Sequence, residues 1–284
     1  MNLFGWYLDP VYLLVVVITL VVSIAAQLYV SSAYRKWSGV RNGSGLTGRQ
    51  VGYAIVNRAP LGGGGDLSAV LVETPELKQL ADLRDKGIVT EQEYQAKRKQ
   101  IQPVANDTAV NTSSIAFQKT PGQMTDNYNP RKRTVSMSEG VATKPSVAAM
   151  AIVAHELGHA QQHEQGSVLI KMRNFLVPAV SFSSPLSFLL ILLGWIFYIP
   201  GLFSLGVLFF AVMVLFTLVT LPVEFDASRR GIALLGQAKL MKTEADEQGT
   251  RRVLRAAAMT YVAAAVTAIL KLLYFLRLGG RRRR

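Results

Sequence analysis

The sequence predicts a mainly α-helical chain held in a membrane by three or four transmembrane helices, with a small α+β portion on the cytoplasmic side. Three observations carry this expectation. Of the 284 residues, 50% are hydrophobic, and they gather in runs at 11–30, 176–222 and 256–276. About 20 apolar residues cross a bilayer as a helix, and the middle run is long enough for two crossings. Residues 31–175 are instead polar and mixed, with short β-type runs beside helical patterns. The net charge of +13 is read as orienting the spans and meeting anionic lipid heads, so the lipid bilayer is the first expected partner. Nucleic-acid binding would need a basic patch interleaved with aromatics on a soluble face, and none is visible. There is no cysteine, which excludes disulfides and thiolate metal sites. Any metal is left to histidine and carboxylate.

Residues 1–31 are expected to form an N-terminal anchor. Met1–Asp9 has no basic residue, and Val11–Val30 follows Pro10 as an uncharged, largely apolar run. A signal peptide has a basic start and a shorter apolar core, so the span is read as uncleaved. Arg35, Lys36, Arg41 and Arg49 come next. By the positive-inside rule the N-terminus lies outside and residue 31 onward lies in the cytoplasm.

Residues 32–61 and 114–175 make up the polar portion. The Gly/Ser-rich stretch 38–48 lacks a Walker pattern and is read as a linker. Thr47 caps a short helix over Gly48–Arg58. Ile115–Phe117 and Thr134–Met137 read as strands around the turn-rich stretch 120–130. Pro145 is placed as the first residue of a helix through Ala148, Ala149, Ile152, His155 and His159, ending near Glu164 before Gly166.

Residues 62–113 form an insert. Gly62–Gly65 is a flexible joint. Beyond it Leu77, Leu80 and Leu83 recur at helical spacing, Gly87 ends that helix, and Thr90 with Glu93 makes a capping box before Tyr94. This helical hairpin resembles the SHOCT module, which implies a role in homo-oligomerisation or docking through residues 75–102.

Residues 176–222 are a transmembrane hairpin, Val177–Tyr198 and Leu202–Leu221, turned at Ile199-Pro200-Gly201. Residues 223–255 return to the cytoplasm. The last segment, 256–284, holds a fourth apolar run and the tail Arg281–Arg284. Four full crossings from an outside N-terminus would put that tail outside, against the charge rule. Either the run carrying Lys271 stops short of crossing, or it crosses against the rule.

All three histidines fall in one stretch, Ala154-His155-Glu156-Leu157-Gly158-His159-Ala160 and His163 just after it. Its HExxH pattern places His155 and His159 one helical turn apart, about 6 Å, so both imidazoles reach one zinc ion. Glu156 is adjacent to the first ligand and serves as general base for a zinc-activated water. His163 is about 12 Å of helix rise from His155 and cannot join the same ion; it is placed beside the ligands or facing solvent. A third ligand is still needed. Between Gln165 and Thr243 the only acids are Glu224 and Asp226. A hairpin of two spans returns the chain to the surface it left, which brings Glu224 to the histidines, while Asp226 pairs with Arg229 or Arg230. The metal set is His155, His159 and Glu224, a gluzincin-like arrangement.

Nearly the whole chain outside the insert resembles the YugP-type bacterial membrane neutral zinc metallopeptidases. The shared stretches are Ser44–Gly48, Thr125–Pro130, Ala154–His163, Leu221–Arg230 and Tyr261–Ala265. The resemblance implies a zincin-like peptidase with one Zn2+, multi-pass in a bacterial cell membrane. Where members of that family often have Asp-His-Tyr-Asp-Pro, this chain has Asp126-Asn127-Tyr128-Asn129-Pro130, which leaves Tyr128 as the candidate transition-state donor. A more distant resemblance to HtpX and CAAX-prenyl endopeptidases would put Asp where this chain has Ser228, so no carboxylate is supplied there. The expected function is zinc-dependent endopeptidase activity at the cytoplasmic membrane face on membrane-associated protein or peptide substrates. The alternatives are a zinc hydrolase of a lipid-linked amide or ester, and a non-catalytic membrane scaffold organised by the insert.

Overall fold

The computed structural model describes residues 9–59 and 115–282, and between them residues 80, 82–84, 86, 89–94 and 97. Helix α1 (Pro10–Ser38) starts where expected: Asp9 accepts from the Val11 N–H at 2.9 Å and Pro10 opens the first turn. Helix α2 (Gly48–Arg58) begins on a reciprocal capping box between Thr47 and Gln50, and it buries Val51 and Ile55 completely.

Three strands follow: β1 (Ala116–Thr120), β2 (Asn127–Asn129) and β3 (Thr134–Ser138), in the order β1-β3-β2. β1 runs parallel to β3, with Ala116 opposite Thr134, and β2 runs antiparallel, with Tyr128 opposite Val135. β1 and β3 overlap the two expected strands, whereas β2 falls within the turn-rich stretch 120–130 and is not expected from the sequence. Asn-Tyr-Asn is too short for a period-2 pattern to stand out among the turn residues around it. These three residues form a strand because β3, buried along its length, needs hydrogen-bond partners on its second edge.

After the short α3 (Glu139–Thr143) comes α4 (Val147–Glu164). Its start differs from the expectation by two residues. Ser146, not Pro145, governs the entry, because its hydroxyl accepts from the Ala149 N–H at 3.1 Å. The end falls as expected. Gly166 adopts φ +60°, and the Ser167 N–H reaches back to the Gln162 carbonyl at 2.9 Å, closing the helix.

The remaining helices are long: α5 (Val168–Ile196), α6 (Pro200–Gln237) and α7 (Glu244–Arg282). Together with α1 they are four helices long and apolar enough to cross a membrane. Their outward faces fit lipid. Leu14, Leu20, Leu28, Phe182 and Phe188 are each more than half exposed, an arrangement costly in water and neutral in hydrocarbon. The chain is thus mainly helical, with four candidate spans and a small three-stranded sheet.

The long helices serve two cores. At one end of the bundle Ile191, Phe203, Phe210, Tyr274 and Leu278 pack together. At the other, Leu234 and Leu235 of α6 and Leu254 of α7 join Ile55, Val135, Met150 and Leu157 from α2, β3 and α4. Helix α6 therefore continues without a break from its apolar run into the core beneath α4. In the insert, Thr90 and Glu93 form the expected capping box and Tyr94 is buried. Most of the hairpin expected over 75–102 lies outside the described residues.

Candidate metal centre

His155 and His159 project from the same face of α4, with ring centroids 4.7 Å apart. The helix that faces them is α6, and the approach is unusually close. A Cβ on Gly158 would fall 2.2 Å from the Ala227 carbonyl oxygen, and one on Gly231 would fall 2.7 Å from that of Ala154. Two glycines a turn apart in space, one on each helix, allow backbone to touch backbone. Glu224, one turn before Ala227 on α6, is thereby delivered to the imidazoles.

Glu224 Oε2 lies 3.3 Å from His155 Nε2 and 3.5 Å from His159 Nε2. Ligand atoms of the three residues all fall within 4.8 Å of one another. The carboxylate is 2% exposed, and its Oε2 is buried without a well-formed hydrogen bond. A buried anionic oxygen left this way is costly unless a cation compensates it. His159 reports the same imbalance. Burial works against its charged form, yet Glu224, with help from Glu156, outweighs burial and raises its pKa. Two nitrogens and a carboxylate oxygen around an electronegative point suit zinc.

The far sides of both rings are held. The Gln162 amide N–H2 donates to the Val223 carbonyl and to Asp226 Oδ2, both at 2.8 Å. Its Oε1 must then face His159 Nδ1, 3.0 Å away. A carbonyl oxygen only accepts, so in the neutral imidazole, the form that binds a metal, the proton sits on Nδ1 and the Nε2 lone pair faces Glu224. Asp226 is fixed in turn by the Arg230 Nε–H at 2.7 Å. Ser228 Oγ stands 3.3 Å from His155 Nδ1 and can do for that ring what Gln162 does for the other.

Glu156 points into a cavity of about 180 Å3 that His155, His159, Glu224 and Tyr128 also line. Burial raises its pKa; the imidazoles of His155 and His159 pull it down, and Glu224 and Asp126 push it up again, leaving it above the ordinary carboxylate range. Asp126 accepts the Ser138 backbone N–H at 2.8 Å, which ties the segment before β2 to the end of β3. That tie sets Tyr128 at the cavity wall. The Tyr128 hydroxyl is buried without a well-formed hydrogen bond. Burial and Glu164 raise its pKa, against Arg133. His163 is exposed and packs edge-on against the Tyr128 ring, centroids 6.5 Å apart, away from the cluster.

Four residues of the site were not read from the sequence. Gln162 carried a usable signal, since it follows His159 by three positions on one helix face. Arg173 and Asn174 of α5 and Tyr261 of α7 reach the same cavity from helices far away in sequence, and no spacing could have placed them. The Arg173 Nε is buried without a hydrogen bond.

Comparison with known proteins points to one family. A family model described as "Putative neutral zinc metallopeptidase" matches residues 107–279. The model of the short C-terminal domain, SHOCT, matches residues 76–101. Over 162 residues the chain is 39% identical to the "Putative membrane protease YugP" of Bacillus subtilis (strain 168), covering 56% of this chain and 72% of that one. No solved structure matches.

Proposed function

The chain belongs to the neutral zinc metallopeptidase family, and from that premise we propose that it is a membrane-embedded, zinc-dependent endopeptidase. One observation carries the reading: the buried Glu224 Oε2 that lacks a well-formed hydrogen bond, faced by two imidazole Nε2 atoms beside Glu156. His155, His159 and Glu224 would hold one ion. Zinc so held supplies a Lewis acid that makes water a nucleophile near neutral pH and polarises the scissile carbonyl.

The chain's own residues do the rest. Glu156 accepts the proton of the attacking water and passes it to the leaving amine, a role suited to a carboxyl with a raised pKa. Gln162 and Ser228 keep the imidazoles turned toward the ion. Arg173, Tyr128 and Tyr261, all at the cavity wall, are the donors available to the negative charge that grows on the carbonyl oxygen. The cluster stands on α6, an apolar helix of spanning length, so substrates are membrane-associated protein segments, cleaved at the cytoplasmic face.

The test is proteolysis of a membrane-protein substrate by purified protein, wild type against Glu156→Gln, with zinc content measured alongside. The reading expects cleavage by wild type, loss on chelation with recovery on added zinc, and no cleavage by a variant that still holds zinc. Equal cleavage by wild type and Glu156→Gln would overturn it.

A further inference from the structure

Helices α1 and α7 form a second site that the peptidase reading does not use. They lie antiparallel against each other along their length. The rings of Tyr12 and Tyr274 meet near one end, centroids 5.3 Å apart. Near the other, Trp37 rests on Gly249, where a Cβ would come within 2.5 Å of the indole. Beside Trp37 the two helices open into a groove of about 700 Å3 with nine lining residues, among them Tyr29, Lys36, Trp37, Arg251, Arg252 and Arg255.

Four of the nine lining residues are cations. Arg251 is offset by Glu247 at 2.9 Å. Among the described residues, Lys36, Arg252 and Arg255 have no carboxylate within ion-pair distance. Lys36 stands instead 5.3 Å from the centroid of the Trp37 ring. Gathering three uncompensated cations in one groove costs mutual repulsion, and an anion would relieve it.

The level of the groove identifies the anion. Lys36 follows Val30, the last residue of the α1 apolar run, by about 9 Å of helix rise. Arg255 immediately precedes Ala256, where the α7 apolar run begins. Tyr29, 45% exposed, is an amphipathic aromatic of the kind that marks a membrane–water boundary, while Trp37 is buried at the base of the groove. On the membrane side, α1 turns Leu20, Val21, Ile24 and Leu28 outward at 57%, 60%, 49% and 65% exposure. A cationic groove at headgroup depth is thus continuous with an apolar face at acyl-chain depth. An acidic peptide would satisfy the first feature only.

We propose that this groove binds the phosphate headgroup of an anionic phospholipid, whose acyl chains lie along the exposed face of α1. Guanidinium groups match a phosphodiester in geometry as well as charge. The bound lipid clamps α1 to α7 beside Val147, the first residue of α4, whose side chain also meets the Gly249 position.

The test uses the full-length protein in neutral detergent, titrated with short-chain phosphatidylglycerol, short-chain phosphatidylcholine, inorganic phosphate or an oligo-glutamate peptide. Binding is read by native mass spectrometry. The expected result is saturable binding of phosphatidylglycerol to wild type and to the control K119Q/R131Q/K132Q. Each groove cation contributes about fivefold, so K36Q/R252Q/R255Q loses on the order of a hundredfold. R252Q and R255Q alone, which keep the groove intact, lose about fivefold each. Equal binding of phosphatidylcholine, preference for the peptide or free phosphate, or an equal loss in the control variant would each overturn the proposal. None of these readouts depends on zinc or on proteolysis.

Discussion

Gly158 of the HExxH helix and Ala227 of the long apolar helix touch backbone to backbone: a Cβ on Gly158 would lie 2.2 Å from the Ala227 carbonyl oxygen. That contact sets the distance between α4 and α6, and with it the distance from Glu224 to His155 and His159. Gly158→Ala therefore acts on the metal site without touching a ligand. Overpacking costs about 1–3 kcal/mol of stability. Zinc affinity falls by at least tenfold, because Glu224 is moved off the imidazoles. A melting curve with a zinc titration checks both; wild-type affinity in Gly158→Ala would show that the helices can separate without disturbing the ligands.

Gln162 tests the claim that the ring orientation is imposed from behind. Gln162→Leu keeps the volume and removes the acceptor for His159 Nδ1 as well as the donor to Asp226 and Val223. Affinity for zinc is expected to fall 10–100-fold, with the protein still folded by circular dichroism. Ser228→Ala, which removes a longer contact of 3.3 Å to His155, is expected to cost less. The reverse ranking would mean that His155, not His159, depends on its support.

Arg173 tests the cavity wall. Its guanidinium Nε is buried without a hydrogen bond next to Glu156 and Tyr261. Arg173→Met should keep wild-type zinc content and lower kcat by about 100–1,000-fold with little change in KM, the signature of a donor used in the transition state. A change confined to KM would assign it to substrate binding instead.

The parts legible in the sequence are those written in local pattern. The apolar runs, the cap at Thr47, the capping box at Thr90, the helix end at Gly166 and the HExxH face all depend on residues within a turn or two of one another. Glu224 was within reach because acids are so scarce between Gln165 and Thr243. The unread parts depend on distant contacts. β2 exists only because β3 offers an edge. Arg173 and Tyr261 reach the cavity by the packing of α5 and α7; local pattern places neither there, and for Tyr261 the available signal is that it opens the shared stretch Tyr261–Ala265. Asp226 meets both of its expected partners, Arg230 at 2.7 Å and Arg229 at 3.6 Å, but its bond to Gln162 makes it part of the support for His159 as well.

The most direct measurement is zinc per chain in purified wild type and Glu224→Ala, determined by elemental analysis after dialysis against a weak chelator. A His155/His159/Glu224 centre predicts one zinc per chain in wild type and near none in Glu224→Ala, with Asp226→Asn retaining more than Glu224→Ala. One zinc per chain in Glu224→Ala would contradict it, since the third ligand would then have to come from elsewhere.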